Sequence, residues 1–177
     1  LIAKMGVASV VGFQGGADGV KKDHVMVTLK HLAGHGEPTG GLNTAPAPVG
    51  ERTLREVFLF PFEAVVKESK PRSVMASYNE IDGVPSHANG KMLNGILRGE
   101  WGFNGVLVSD YYAINELSSR HHLGETNADA ALLAINAGVD IETPIGSSYK
   151  HLIELVKTGR LESRVIDAAV ARVLREK

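Results

Sequence analysis

Short apolar runs alternate with longer amphipathic segments along this chain, and this alternation limits the possible folds more than any other feature. Strands that are separated by helices pair in parallel, because each helical crossover returns the chain to the same end of the sheet. The sequence therefore predicts an α/β fold with parallel strands alternating with helices. We predict strands at Val25–Leu29, Ser73–Ser77, Val106–Val108 and Val139–Ile141. Four strands correspond to half of an eight-stranded α/β barrel.

The segments between these strands have the period of amphipathic helices. Glu51–Lys70 places its apolar residues on one face, and Pro61 is expected to divide it into two helical pieces, because proline lacks a backbone donor. Thr126 and Ser163 are predicted N-caps. Gly34–Gly50 has no period and is predicted to be a structureless loop over the C-terminal end of the sheet. Further helices are predicted at Lys91–Gly99, Asn127–Ala137, Tyr149–Lys157 and Ser163–Lys177.

Charge and composition exclude several classes of function. The 177 residues include 19 basic and 20 acidic side chains, which are well mixed and give a net charge of -1, so we predict no nucleic-acid partner. No apolar run approaches the ~20 residues of a bilayer span, so we predict no membrane partner. The absence of cysteine excludes disulfides, thiolate zinc sites and a cysteine nucleophile. We predict no cofactor and no metal.

Polar residues follow three of the predicted strands. Lys30 and His31 end the first strand, Tyr78 lies just past the second, and Asp110 ends the third. The active sites of barrel enzymes lie at the C-terminal ends of the parallel strands, so these side chains are expected to lie close together at that end. Each residue also has an ordinary interpretation: Asp110 as a helix N-cap, Lys30 and His31 as solvated loop residues, and Tyr78 as a half-buried rim tyrosine.

Several motifs, in this order, resemble those of glycoside hydrolase family 3. They are Lys30-His31-Leu-Ala-Gly34, Arg52-Thr-Leu-Arg-Glu56 with Pro61-Phe62-Glu63, Val74-Met-Ala-Ser-Tyr-Asn79 with Asp82-Gly83, Trp101-Gly-Phe-Asn-Gly105, Val108-Ser-Asp110, Ala137-Gly-Val-Asp140 and Ile166-Asp-Ala-Ala-Val-Ala-Arg-Val-Leu174. The resemblance implies a partial (β/α)8 TIM-type barrel, roughly the later half. Residues 1–177 would then be a single incomplete domain that lacks the family's N-terminal strands and its C-terminal sandwich domain.

The resemblance also implies roles for individual residues. Asp110 would be the nucleophile of a retaining β-glycosidase of the β-glucosidase type, and a nearby Lys30 would favour its ionised form. Lys30 and His31 would hold hydroxyls of the sugar, while Tyr78 and Tyr111 would line its pocket. The family's unusual cis peptide bond is expected beside Lys30-His31. The further candidate substrate contacts are His35 and Met75, although a methionine within a strand is more often a core residue than a site residue.

A retaining mechanism needs a second carboxyl group as acid and base, and none is evident in the sequence. Glu37, Glu80 and Glu142 stand in no family acid/base motif, so we expect the acid/base to come from outside this chain. The loop from His35 lacks the Asp-Ser-His signature of the β-N-acetylglucosaminidase branch. The glucosidase or xylosidase branch is therefore favoured over that branch.

The expected partners are a β-linked oligosaccharide or aryl β-glycoside substrate and the missing parts of the parent chain, and an oligomer is left open. Two readings outside this class stay open. One is a non-catalytic sugar-binding fragment, since neither an acid nor a closed barrel is evident. The other is an aldolase-like barrel that uses Lys30 as a Schiff-base amine.

Overall fold

The computed structural model describes residues 1–177, which form a layered α/β structure. The strands are β1 (Thr28–Leu32), β2 (Pro46–Ala47), β3 (Ser73–Ala76), β4 (Glu80–Ile81), β5 (Val84–Pro85), β6 (Val106–Tyr111) and β7 (Ile141–Thr143). The α-helices are α1 (Ile2–Gln14), α2 (Glu51–Thr53), α3 (Phe60–Ser69), α4 (Ala113–Ser119), α5 (Asn127–Ala137), α6 (Leu152–Lys157) and α7 (Ser163–Arg175). Two π-helices cover Leu54–Leu59 and Lys91–Glu100, and 3₁₀ turns lie at Thr39–Gly41, Ser86–Ala88 and Tyr149–His151.

The main sheet has the strand order β1-β3-β6-β7, and all of its pairings are parallel. Helices cover one face, where Val74 and Leu107 are fully buried in the core. The other face carries the half-buried residues Met75, Val108 and Ile141. This second face is therefore only partly covered within this chain.

The predicted strands are present with shifted bounds. The first begins at Thr28 rather than Val25, because the ladder starts where Thr28 pairs with Ser73, and Val25 is exposed. The last begins at Ile141 rather than Val139. Strand pairing selects these bounds, whereas the sequence shows only where apolar residues cluster.

The predicted division near Pro61 is present as a change of helix type, because a π-helix at Leu54–Leu59 is followed by α3, which has Pro61 in its first turn. Two other local predictions are wrong. Glu162, and not Ser163, occupies the N-cap position of α7, where no side chain caps the helix. The loop 34–50 is not structureless, since β2 pairs with β4 in a three-stranded sheet with β5.

Two helix features add to this picture. Thr126 caps α5 as predicted, in a reciprocal capping box with Asp129. Helix α1, which we did not predict, packs on α3 and places the buried Gln14 side chain so that it donates to the carbonyl of Lys70 at 3.3 Å. None of the helices combines the length and apolar character that a membrane crossing requires.

A buried carboxylate joins three elements behind the sheet. Asp140 Oδ2 accepts hydrogen bonds from Arg98 Nη2 at 2.7 Å and from the backbone N–H of Leu107 at 2.9 Å. Its Oδ1 accepts from Arg172 Nε at 2.8 Å. These contacts tie the second π-helix, β6 and α7 to the residue that precedes β7, and so they hold the strand that carries Asp110.

Candidate active site

Asp110 lies near the C-terminal end of β6, with 13% of its side chain exposed. Its Oδ1 accepts the backbone N–H of Tyr111 at 2.8 Å, and its Oδ2 lies 3.2 Å from His31 Nε2. The N-cap position of α4 belongs to Tyr112, and no side chain caps that helix. Asp110 is therefore not the cap of α4, and its carboxylate is free to act at the mouth of the sheet.

His31 reaches Asp110 from the end of β1, where the backbone is unusual. The predicted cis peptide bond is confirmed between Lys30 and His31, and a second, unpredicted one joins Leu32 and Ala33. Burial lowers the pKa of His31, the charge of Asp110 opposes this shift, and His35 and Lys30 add to it. A lowered pKa favours the neutral His31 ring, which can donate one hydrogen bond and accept another.

A polar network holds the segment that follows the cis bonds. The His35 ring lies 4.5 Å from the His31 ring, centroid to centroid, and His35 Nδ1 lies 3.3 Å from Ser77 Oγ. Ser77 donates to the side-chain oxygen of Asn79, whose Nδ2 donates to the carbonyl of Ala33 at 3.2 Å. Ser77 and Asn79 are fully buried. The end of β3 therefore supports the loop that presents both histidines.

Tyr78 contacts the backbone of the residue that follows Asp110. Its hydroxyl donates to the backbone carbonyl of Tyr111 at 2.7 Å. Burial, followed by the negative charge of Asp110, raises the pKa of Tyr78, so the phenol keeps its proton as a donor. Tyr111 itself is 57% exposed, and its ring is available to line a pocket.

A further histidine, His87, contacts Asp110 from beneath. The backbone N–H of Asp110 donates to His87 Nε2 at 3.0 Å, and His87 is buried. Burial lowers the pKa of His87 to about 4, His121 contributes in the same direction, and the charge of Asp110 opposes the shift. We did not predict His87, because it stands in none of the motifs and the contact joins residues 23 positions apart.

The chain is similar to proteins of a known family over nearly its whole length. The sequence model described as the glycosyl hydrolase family 3 N terminal domain matches residues 1–176. The chain belongs to glycoside hydrolase family 3. Among relatives of the family, it is 40% identical to a putative beta-xylosidase of Formosa agariphila, over 100% of this chain and 24% of that protein. It is 35% identical to the lysosomal beta glucosidase of Dictyostelium discoideum, over 96% and 21%.

Solved structures of family 3 enzymes share the fold. A β-glucosidase from Erythrobacter marinus superposes with a TM-score of 0.92 at 39% identity, over 96% of this chain and 22% of that one. A β-glucosidase from Listeria innocua in complex with isofagomine gives 0.92 at 30% identity, over 98% and 24%. The predicted α/β fold is thereby confirmed as part of a family 3 barrel domain. This chain spans 17–26% of the length of the curated relatives it matches.

The remaining predicted residues of this family 3 domain lie in different settings. Lys30 is exposed and forms no ion pair, and the basic side chain in contact with Asp110 is His31. Met75 is half-buried on the partly exposed face of the sheet, where it pairs with Val108 across β6. Substrate contacts by Lys30 and Met75 stay predictions.

Two of the three glutamates considered as proton donors, Glu80 and Glu142, are engaged with other groups. Glu142 is buried, and its carboxylate accepts the backbone N–H groups of Ser148 and Tyr149 before α6. Glu80 Oε1 lies 2.9 Å from His121 Nδ1, and Glu37 is exposed. No group of three or more histidine and acidic side chains is arranged to hold a metal ion.

Because His87 is buried, we predict that the free energy of unfolding depends on pH. Its pKa is about 4 in the folded protein and 6.5 ordinarily, so between these values the unfolded chain binds a proton that the folded protein excludes. The free energy of unfolding should then fall as pH decreases from 6.5 to 4, and lose about 2 kcal/mol from this group by pH 5.

Urea unfolding at pH 7 and pH 5 checks this expectation. The change between the two pH values should be smaller in His87→Gln than in the parent protein, because glutamine does not titrate. An equal pH dependence in both proteins would show that His87 does not exclude the proton.

Proposed function

We propose that this chain is the later part of the catalytic barrel domain of an exo-acting, retaining β-glycosidase. The reaction is hydrolysis of terminal non-reducing β-D-glycosidic bonds, of the β-glucosidase type, with Asp110 as nucleophile. The observation that carries the proposal is the placement of the Asp110 carboxylate at the C-terminal end of a parallel strand, in contact with His31.

The geometry supports a double displacement. One oxygen of Asp110 attacks the anomeric carbon, the bond to the leaving oxygen breaks, and that oxygen takes a proton from a general acid. Water, deprotonated by the same group, then attacks the glycosyl-enzyme ester and restores the carboxylate. The contacts of Asp110 with His31 Nε2 and with the N–H of Tyr111 orient the carboxylate.

The acid/base is proposed to lie outside these 177 residues. Glu80 and Glu142 are engaged with other groups, and neither contacts Asp110. We further propose that the other barrel strands and a sandwich domain belong to a longer parent chain. The greater length of the relatives and the partly exposed sheet face around Met75 and Val108 support this proposal.

The substrate is proposed to be a β-linked oligosaccharide or an aryl β-glycoside. Its sugar would lie over Asp110, with Lys30, His31 and His35 near its hydroxyls and with Tyr78 and Tyr111 at its sides. A β-xylosidase is the second candidate, because relatives named beta-xylosidase reach 40% and 38% identity. The ratio of kcat/KM for nitrophenyl β-glucoside and β-xyloside distinguishes the two.

Covalent trapping tests the proposal directly. In the enzyme that carries this domain, a 2-fluoro β-glycoside with a good leaving group should inactivate and leave a glycosyl adduct on the peptide that contains Asp110. The fluorine slows both steps, and the leaving group speeds only the first, so the ester forms faster than it is hydrolysed. Peptide mass spectrometry locates the adduct. Excess unlabelled substrate analogue should protect the enzyme.

Three outcomes would contradict parts of this proposal. An adduct on another peptide would remove Asp110 as nucleophile. Hydrolysis of an aryl β-glucoside by the 177-residue chain alone, at the rate of the parent enzyme, would show that a residue such as Glu37 or His35 supplies the proton. Sugar binding without any hydrolysis in the parent enzyme would favour the non-catalytic alternative.

A further inference from the structure

The peptide around Asp110 is held at successive backbone groups. His87 Nε2 accepts the N–H of Asp110 at 3.0 Å, Tyr78 donates to the carbonyl of Tyr111 at 2.7 Å, and the N–H of Tyr112 donates to the carbonyl of Thr143 at 3.0 Å. Among these contacts, only the one from His87 acts on the residue that carries the carboxylate, and it comes from a buried side chain.

The chain brings His87 to this place through the small sheet. The tight turn at Asp82 and Gly83, both with positive φ, reverses the chain between β4 and β5. Ser86 then closes the hairpin, because its side chain and its backbone N–H both donate to the carbonyl of Asn79, at 2.7 Å and 3.2 Å. The 3₁₀ turn that follows directs His87 beneath the end of β6.

The contact specifies which nitrogen of His87 carries the proton. A nitrogen that accepts the N–H of Asp110 has no hydrogen of its own, so the neutral ring must be protonated on Nδ1. The backbone of Ser77 raises the pKa of His87, against the larger effect of burial. His87 therefore holds the backbone near the end of β6 through a single oriented ring.

We propose that His87 is a positioning residue for Asp110, holding the nucleophile's backbone through an Nδ1–H tautomer whose Nε2 accepts the Asp110 N–H. This role rests on the proposed function of Asp110. The titratable groups that face the ring are Asp110 and His121, and His121 is itself paired with Glu80. Because His87 is buried, it acts through the placement of the attacking oxygen.

Two amide substitutions test whether the acceptor at the position of His87 Nε2 is needed. The oxygen of glutamine extends to the place of Nε2 and preserves the acceptor, whereas the shorter asparagine extends only to the place of Nδ1. In the parent enzyme, His87→Asn should slow inactivation by the 2-fluoro glycoside by about 10²-fold, the scale on which small misplacements of reacting groups act. The inhibitor's binding constant should stay within about threefold, and His87→Gln should recover most of the rate. His24→Asn, at an exposed histidine, is the matched control.

The result that would overturn the proposal is a trapping rate that is unchanged in His87→Asn, or reduced equally in the asparagine and glutamine variants. Equal loss would indicate packing rather than acceptance of the Asp110 N–H. Circular dichroism and a thermal melt of each variant identify any loss of folded protein, and rates are compared per folded enzyme.

A second measurement does not depend on activity. Long-range ¹H–¹⁵N spectra of the 177-residue chain at pH 7 should show His87 protonated on Nδ1 and unprotonated on Nε2. A ring protonated on Nε2 would refute the proposal. If the parent enzyme is trapped away from Asp110, the proposed function fails, and these spectra still decide whether His87 holds the Asp110 backbone.

Discussion

In the parent enzyme, replacing Asp110 with asparagine is expected to lower kcat for β-glycoside hydrolysis by about 10⁴-fold or more, because loss of the proposed nucleophile would remove the covalent route entirely. Asparagine preserves the size of the side chain and an oxygen to accept the Tyr111 N–H, so the fold should remain. Steady-state kinetics on an aryl β-glycoside, with melting temperature measured in parallel, test this expectation. Asp167→Asn, which makes the same change at an exposed position on α7, is the control.

A smaller side chain gives this experiment a second readout. Asp110→Ala leaves space where the carboxylate was, and a small anion such as azide can enter it. Azide attack from the face opposite the leaving group should restore part of the rate and release an α-glycosyl azide. Full activity in Asp110→Asn, or a β-glycosyl azide product, would contradict the nucleophile assignment.

Replacing Asp140 with asparagine is expected to give the largest loss of stability in this domain. The Asp140 side chain is fully buried, and Arg98 and Arg172 are only 14% and 22% exposed, so both cations would lose their common counter-ion. Removing one partner of a buried ion pair costs about 3–5 kcal/mol, since the remaining charge is left without compensation. The free energy of unfolding in urea measures this loss.

The control for Asp140 is the same substitution in an exposed pair. Asp18 contacts Lys70, and their side chains are 76% and 61% exposed, so Asp18→Asn should leave the urea midpoint almost unchanged. Arg172→Gln leaves Arg98 on the carboxylate and should fall between these variants. Equal midpoints for Asp140→Asn and Asp18→Asn would show that the buried network does not support the fold.

Much of the fold was predictable because its signals are local. The four parallel strands follow from apolar runs between helical segments, and Thr126 was predicted as a cap because Thr and Asp at N-cap and N3 interact within one turn. The division near Pro61 was predictable because proline is favoured in the first turn of a helix, whereas the π-helix before it was not predicted. The loop 34–50 was also misjudged, since β2 exists only through its pairing with β4.

The candidate active site was also predictable only in part. Asp110, His31 and Tyr78 lie together as expected, because parallel strands end at one side of a sheet. Lys30 was expected to be the charge beside Asp110, but it is exposed, and His31 makes the contact. His87 was not predicted at all, although it is hydrogen-bonded to the backbone of Asp110.

The sequence by itself determined the α/β class, the family motifs and the position of Asp110 at a strand end, because these depend on residue period and on short ordered segments. Only the tertiary structure decided which side chains meet Asp110 and which nitrogen of His87 accepts its N–H. The reason is physical: hydrogen bonds require placement within a fraction of an ångström, and the partners come from β1, β6 and the turn after β5. Packing of the whole domain sets that placement.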